Sequence, residues 1–213
     1  MRIRHSQIRQ VAAVIRTRGG NVLEIVADVS VENDCRRIVE ETIKQYGRID
    51  VLLNNAGISM RALFEETDIK VLDKLMSVNF WGTVYCIKYS LPYLLKSKGT
   101  VAGVSSVAGK KGLPGRSGYS ASKFAMEGFL ESLRTENMET GLHVLVACPG
   151  FTASNIRNVA LRGDGVPEGE SPREEEKMMQ PEEVALHIYD AVKKRKRDLV
   201  LSAEGKWLHR LNK

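Results

Sequence analysis

The sequence is poor in cysteine, holding only Cys35, Cys86 and Cys148 among 213 residues. The three are far apart, odd in number and form no CxxC pair. That excludes a zinc site or a disulfide framework and points to reduced thiols in a cytoplasmic protein. The four histidines, His5, His143, His187 and His209, have no ligand spacing, so no metal is assigned. No apolar run approaches the roughly 20 residues that a membrane-spanning helix needs. Residues 1–10 are basic and polar and lack the apolar stretch of a signal peptide. Low-complexity tracts and internal repeats are absent, which excludes disorder as the main state.

The remaining composition is that of one globular domain: 43% hydrophobic, 27% charged, 6% aromatic, with 18 Gly and 6 Pro. A chain of this length buries roughly 70% of its unfolded surface without any staple. The net charge of +6 permits an anionic ligand without demanding one. Ile8, Val11, Ala12 and Ile15 lie at i, i+3, i+4, i+7 and predict a helix over 6–18. Residues 21–29 (NVLEIVADV) read as a buried strand. Ser30 then serves as N-cap of a helix with Glu32 and Asp34 in its first turn, ending at Gly47.

Strands are predicted at 49–54, 100–105, 143–147 and 198–202. Long helices are predicted at 67–95, interrupted at Pro92, and at 119–140, with a last helix starting at Pro181. Residues 151–180, polar and rich in Gly and Pro, read as a mobile loop or substrate lid. Apolar strands alternating with helices imply an α/β fold, a doubly wound parallel sheet in three α/β/α layers forming a single domain over 1–213.

In open α/β sheets ligands bind beyond the carboxyl ends of the strands. Those ends carry Asp28-Val29, Asn54-Asn55-Ala56-Gly57, Ser105-Ser106 and Pro149-Gly150. The sharpest local feature is Tyr119-Ser-Ala-Ser-Lys123. On a helix, positions i and i+4 share a face, so the phenol and the ammonium are neighbours. A nearby cation stabilises phenolate and suits the tyrosine to proton transfer. Taken alone, YxxxK equally describes an exposed Tyr and Lys on an amphipathic helix. Ser106, 13 residues upstream across a Gly-rich loop, and Asn79 within VNFWG narrow the choice.

With NNAG at 54–57, VSSVAG at 104–109, YSASK at 119–123 and CPG at 148–150, the chain resembles the short-chain dehydrogenase/reductase family. The pieces occur in that family's order and spacing and cover about residues 6–202. The resemblance implies a Rossmann-like fold and an NAD(P)-dependent oxidoreductase acting on an alcohol or carbonyl. It assigns Tyr119 as general acid/base and Lys123 as the residue that binds ribose and lowers the Tyr119 pKa. Ser106 is assigned to the substrate oxygen, and Asn79 to a water linking Lys123 to solvent. Asp28 and Val29 are implied at the adenine, and Asn55, Ala56 and Gly57 along the ribose side. Pro149, Gly150, Thr152 and Ser154 are implied near the nicotinamide and diphosphate. Ser154 stands where the family usually has Thr.

No G-x-x-x-G-x-G or G-x-G-x-x-G occurs in the sequence. The family's opening strand, Gly-rich turn, helix and second strand therefore have no counterpart here, and the fold is expected to be incomplete at the N-terminus. Family strand order places those strands between the ones ending at Asp28 and Asn54, so unpaired backbone is expected on both sides of a gap. The choice between NAD and NADP loses its usual marker and leans to NADP on the basic charge balance alone. A dimerising or partner-binding remnant without catalysis is the alternative.

The run Lys193–Arg197 reads as a solvated helix end with favourable charge, so no nucleic-acid partner is assigned. Phe80-Trp81 and residues 124–133 serve either a homodimer or homotetramer interface, as the family's long helices do, or the monomer core. The methionines are read as core or lid residues rather than a partner surface, with Met178-Met179 at a substrate entrance. Trp207-Leu208 is read as the start of a tail that packs on a partner.

Overall fold

The computed structural model describes residues 5–169 and 178–201, so Trp207-Leu208 lies outside the described residues. Four strands, β1 (Val51–Asn54), β2 (Thr100–Val104), β3 (His143–Cys148) and β4 (Asp198–Val200), pair in parallel in the order β1-β2-β3-β4. Helices α1 (His5–Thr17) and α2 (Glu32–Tyr46) precede them. Helices α3 (Ile69–Leu75) and α4 (Gly82–Ser97) follow β1, α5 (Ser117–Glu136) follows β2, and α6 (Pro181–Lys193) follows β3. Parallel neighbours need long crossovers, and these helices supply them.

Alternation along each strand divides the core between two faces. Val101, Val144, Val146 and Cys148 pack against Leu94, Met126 and Leu130 of α4 and α5. Ala102, Leu145, Ala147 and Leu199 pack against Val184, Ile188 and Ala191 of α6. Strands β2 to β4 are therefore covered on both sides, and β3 is buried at every position. A third cluster, Ile58, Met60, Val71, Leu75, Val78 and Leu161, anchors the loop after β1.

Residues 21–28 form no strand, which corrects the reading of 21–29. A β-ladder requires a partner, and β1 hydrogen-bonds only to β2 among the described strands. Side chains of α2 take part of the ladder's place: Arg37 Nη2 donates to Val26 O at 2.7 Å and Cys35 Sγ to Val29 O at 3.2 Å. The far edge of β1 is accordingly open, with Val51 and Leu53 at 48% and 47% exposure.

Ser30 is not the N-cap of α2. That position is Val31, and the Ser30 hydroxyl donates instead to Asp28 Oδ1 at 2.7 Å. Gly47 does end α2, in the left-handed region at φ 73°, its N–H donating to Ile43 O. The long helix is interrupted by a π-helical turn at Met76–Trp81 and not at Pro92, which sits inside α4. Pro92 faces solvent, where the carbonyl it leaves unbonded can turn to water.

The segment 151–169 is tied down rather than loose. Met60 and Thr152 bridge to Leu161 and Met179, and Ala160 and Leu161 are buried. Among the described side chains of α1 only Ala12 is buried, while Val11 remains 61% exposed.

Candidate active site

The carboxyl ends of β1, β2 and β3 open onto a cavity of about 960 Å³. Its wall includes Asn55, Gly57, Ser106, Tyr119, Lys123, Pro149, Gly150, Thr152 and Ser154. It continues over the α6 face of the sheet, where Val51, Leu53, Ile188 and Tyr189 give it an apolar floor. Asp28, Val29 and Ala56 do not line it, and neither does Asn79, which is fully buried.

Each side chain is placed by local structure. Ser106 ends the extended stretch after β2 and caps a 3₁₀ turn, its Oγ accepting from Ala108 N at 3.2 Å. Tyr119 lies in the first turn of α5, with Lys123 one turn later on the same face, Nζ 5.9 Å from the phenol ring centroid. Lys123 is buried and donates to Val104 O at 2.8 Å.

Asn79 occupies the π turn. Its Oδ1 accepts from Ile58 N at 2.8 Å, and its Nδ2 donates to Ile58 O and Ser122 Oγ, both at 2.9 Å. Ser122 Oγ in turn donates to Tyr119 O at 2.8 Å. The amide therefore fastens the loop after β1 to α5. With its side chain so engaged, Asn79 braces the two elements against each other.

Burial dominates the electrostatics of the Tyr119 and Lys123 side chains. Burial raises the Tyr119 pKa above the ordinary phenol value, while the Ser106 hydroxyl and the Arg116 charge pull against that rise. Burial acts on the ammonium as well and pushes the Lys123 pKa down to about 8.

Three contributors were not singled out from sequence. Ser122 sits inside YSASK but shows its bracing role only through Asn79. Glu127, one turn beyond Lys123, accepts from Ser105 Oγ and from Cys148 Sγ at 3.6 Å, and its Oε2 meets Lys110 Nζ at 2.6 Å. It thereby ties together the ends of β2 and β3. Arg116, three residues before Tyr119, lines the cavity and donates from Nη1 to Ser59 Oγ at 2.5 Å.

The residues at the nicotinamide end fit a dinucleotide. A Cβ at Gly57 would lie 3.6 Å from Lys123 Nζ and 3.3 Å from Asn79 Oδ1, so only glycine leaves that approach open. Farther off, Asp28 Oδ1 accepts from both Ser30 N and Ser30 Oγ. Asn54 Nδ2, just before this loop, is buried without a hydrogen-bond partner.

Elsewhere, His143 uses both ring nitrogens. Nε2 donates to Lys196 O at 2.8 Å, which leaves Nδ1 to accept from Thr100 Oγ1 at 3.1 Å. In the basic run, Arg195 donates to Gly141 O and Lys98 O, closing loops of the fold.

A parallel sheet flanked by helices, with a cavity at the carboxyl ends of its strands, defines a Rossmann-like α/β protein. The family model for short chain dehydrogenase matches residues 1–163, and the chain belongs to that family. It is 39% identical over 155 residues to 11-beta-hydroxysteroid dehydrogenase 1A of Arabidopsis thaliana, covering 72% of this chain and 44% of that one. The chain thus spans about half the length of the curated relatives it matches. A short-chain dehydrogenase structure from Streptomyces avermitilis superposes with TM-score 0.81 at 26% identity, covering 96% of this chain and 81% of the other. One from Burkholderia phymatum, solved in complex with NAD, gives TM-score 0.82 at 19% identity, covering 93% and 77%, a likeness of fold.

Proposed function

We propose that the chain carries the catalytic end of a nicotinamide-dependent oxidoreductase that interconverts an alcohol and a carbonyl. The observation that most supports this reading is the convergence of Ser106, Tyr119 and the buried Lys123 on one cavity. When bound, NAD(P) supplies the hydride chemistry. Asn55, Ala56, Gly57, Lys123, Pro149, Gly150, Thr152 and Ser154 would hold its nicotinamide and ribose end, with Val29 and Asp28 at the adenine.

Tyr119 gives a proton to the substrate oxygen in reduction and removes one in oxidation. Its raised pKa keeps the phenol protonated at neutral pH, the form that reduction requires. The Ser106 hydroxyl donates to the same oxygen and stabilises charge developing there. Lys123 brings a positive charge and donors to the ribose side. The segment 151–180 acts as a lid over the substrate end.

The net charge of +6 leans the cofactor choice to NADP. The name of the Arabidopsis relative makes hydroxysteroids one substrate class to test. Trp81 and Phe124, 45% and 46% exposed on the two long helices, support a homodimer or homotetramer. The buried free thiols Cys35, Cys86 and Cys148 accord with the cytoplasm.

The test is titration of the purified chain with NADPH and NADH, read by cofactor fluorescence and thermal stability, followed by a carbonyl-substrate screen. Cofactor binding with turnover that Tyr119→Phe abolishes, while binding persists, supports the assignment. Turnover that Tyr119→Phe retains would sink it.

A further inference from the structure

We propose that the cavity selects a carbonyl or alcohol substrate bearing an oxyanion, a carboxylate or phosphate, held by Arg116 and Arg61. This rests on the oxidoreductase reading above and names the substrate class of that site.

Three loops build the wall. Gly115, in the left-handed region at φ 66°, turns the chain before α5, and its carbonyl accepts from Ala62 N at 3.1 Å. On its other side the 59–62 segment is held by Leu161. Arg61 N donates to Leu161 O at 2.8 Å, and Leu161 N to Ser59 O at 2.9 Å. These bonds bring Arg61, Arg116 and Arg157 to one end of the cavity, beside Tyr119. Arg157 is buried and spends Nη2 on Thr152 O at 2.8 Å. Arg116 is half-buried, with the Ser59 hydroxyl as a neutral partner.

Among the described residues no carboxylate pairs with Arg116 or Arg61, and no Asp or Glu lines the cavity. Glu168 shares a small crevice with the three arginines and Ala160, and its charge acts on Arg116 without a direct ion pair. Holding guanidiniums together in a partly dry wall costs free energy through repulsion and lost hydration. Burial and the neighbouring Arg61 depress the Arg116 pKa accordingly.

An oxyanion offsets both costs, since the guanidinium fork matches carboxylate and phosphate in a bidentate manner. Arg116 immediately precedes α5, so the backbone that places the Tyr119 hydroxyl also places the anion site. The substrate's charged group therefore lies a short, fixed distance from its reacting carbonyl. A neutral hydroxysteroid brings no charge to either guanidinium.

The test uses the chain with three ketones of one scaffold: 4-acetylbenzoate, 4-acetylphenyl phosphate and the neutral methyl 4-acetylbenzoate. Binding is read by calorimetry, and reduction by NADPH or NADH consumption. At least one anion is expected to bind about 10-fold tighter than the ester, a factor equivalent to about 1.4 kcal/mol. Arg116→Gln is expected to abolish that preference and still bind the ester. Arg61→Gln, at an exposed position, is expected to reduce it and serves if Arg116→Gln fails to fold. Whichever anion binds tighter separates carboxylate from phosphate recognition. No binding of any ketone, equal binding of all three, or a preference that both variants keep overturns the proposal even where reduction occurs. Anion preference without reduction by either cofactor sustains the oxyanion site and removes the oxidoreductase reading instead.

Discussion

Replacing Asn79 by alanine tests the reasoning about the site at its most buried point. The side chain is 0% exposed and makes three hydrogen bonds, two of them to the N–H and C=O of Ile58. A hydrogen bond contributes about 1 kcal/mol net, but a buried group left unbonded costs about 1–3 kcal/mol. Ile58 is itself buried, so alanine strands its N–H and C=O together. The expected loss is about 3–5 kcal/mol, allowing for partial relaxation. In a chain of this size that corresponds to a fall in melting temperature of roughly 8–15 °C.

Asn79→Asp sharpens the test. It keeps an acceptor for Ile58 N but sets a second oxygen against Ile58 O and Ser122 Oγ, and it buries a titratable group. It is expected to be at least as destabilising at pH 7 and to recover part of the loss as the pH falls and the carboxyl protonates. Urea unfolding of the three proteins at pH 5 and pH 7 measures both effects. An alanine variant within about 1 kcal/mol of the parent would refute the bracing role, because the Ile58 groups would then be satisfied elsewhere.

The buried Lys123 makes stability depend on pH. Its folded pKa of about 8 lies below the ordinary 10.5, so between those values the unfolded chain binds more protons and stability rises with pH. Relative to Lys123→Met, the parent is expected to gain up to about 3 kcal/mol across that window, and parallel urea curves would contradict it. Glu127→Gln removes the carboxylate that Lys110, Ser105 and Cys148 share. It is expected to cost about 2–3 kcal/mol, read by chemical denaturation, and an unchanged midpoint would show that the cluster is idle. Gly103→Ala places a Cβ 2.5 Å from Leu130 Cδ1 between β2 and α5. A destabilisation of about 1–3 kcal/mol is expected in thermal melts, while a neutral result would mean that the layer spacing yields freely.

Much of this molecule is legible in residue order. Apolar strands alternating with amphipathic helices specify a two-faced parallel sheet, because each strand must bury both sides of its pleat. The Gly47 stop, the Pro181 start and the positions of Ser106, Tyr119 and Lys123 at strand ends and on one helix face follow from local geometry. Such features depend on spacing of a few residues along one chain segment.

What depended on partners was hidden. Residues 21–28 have the composition of a strand and none of the structure, since a ladder exists only where a second strand lies alongside. The chemistry of the site turned on the same point. Sequence places Lys123 next to Tyr119, yet only the folded arrangement decides how much water each has lost, and burial moves both pKa values against the simple pairing. Asn79 meets Ile58 and Ser122 across 21 and 43 residues, and Arg116 meets Ser59 across 57. Composition and periodicity thus determined the layers, and motif spacing placed the candidate site residues. Tertiary packing decided the braces, the charges and the open edge, because hydrogen bonds and desolvation depend on distances that sequence separation does not encode.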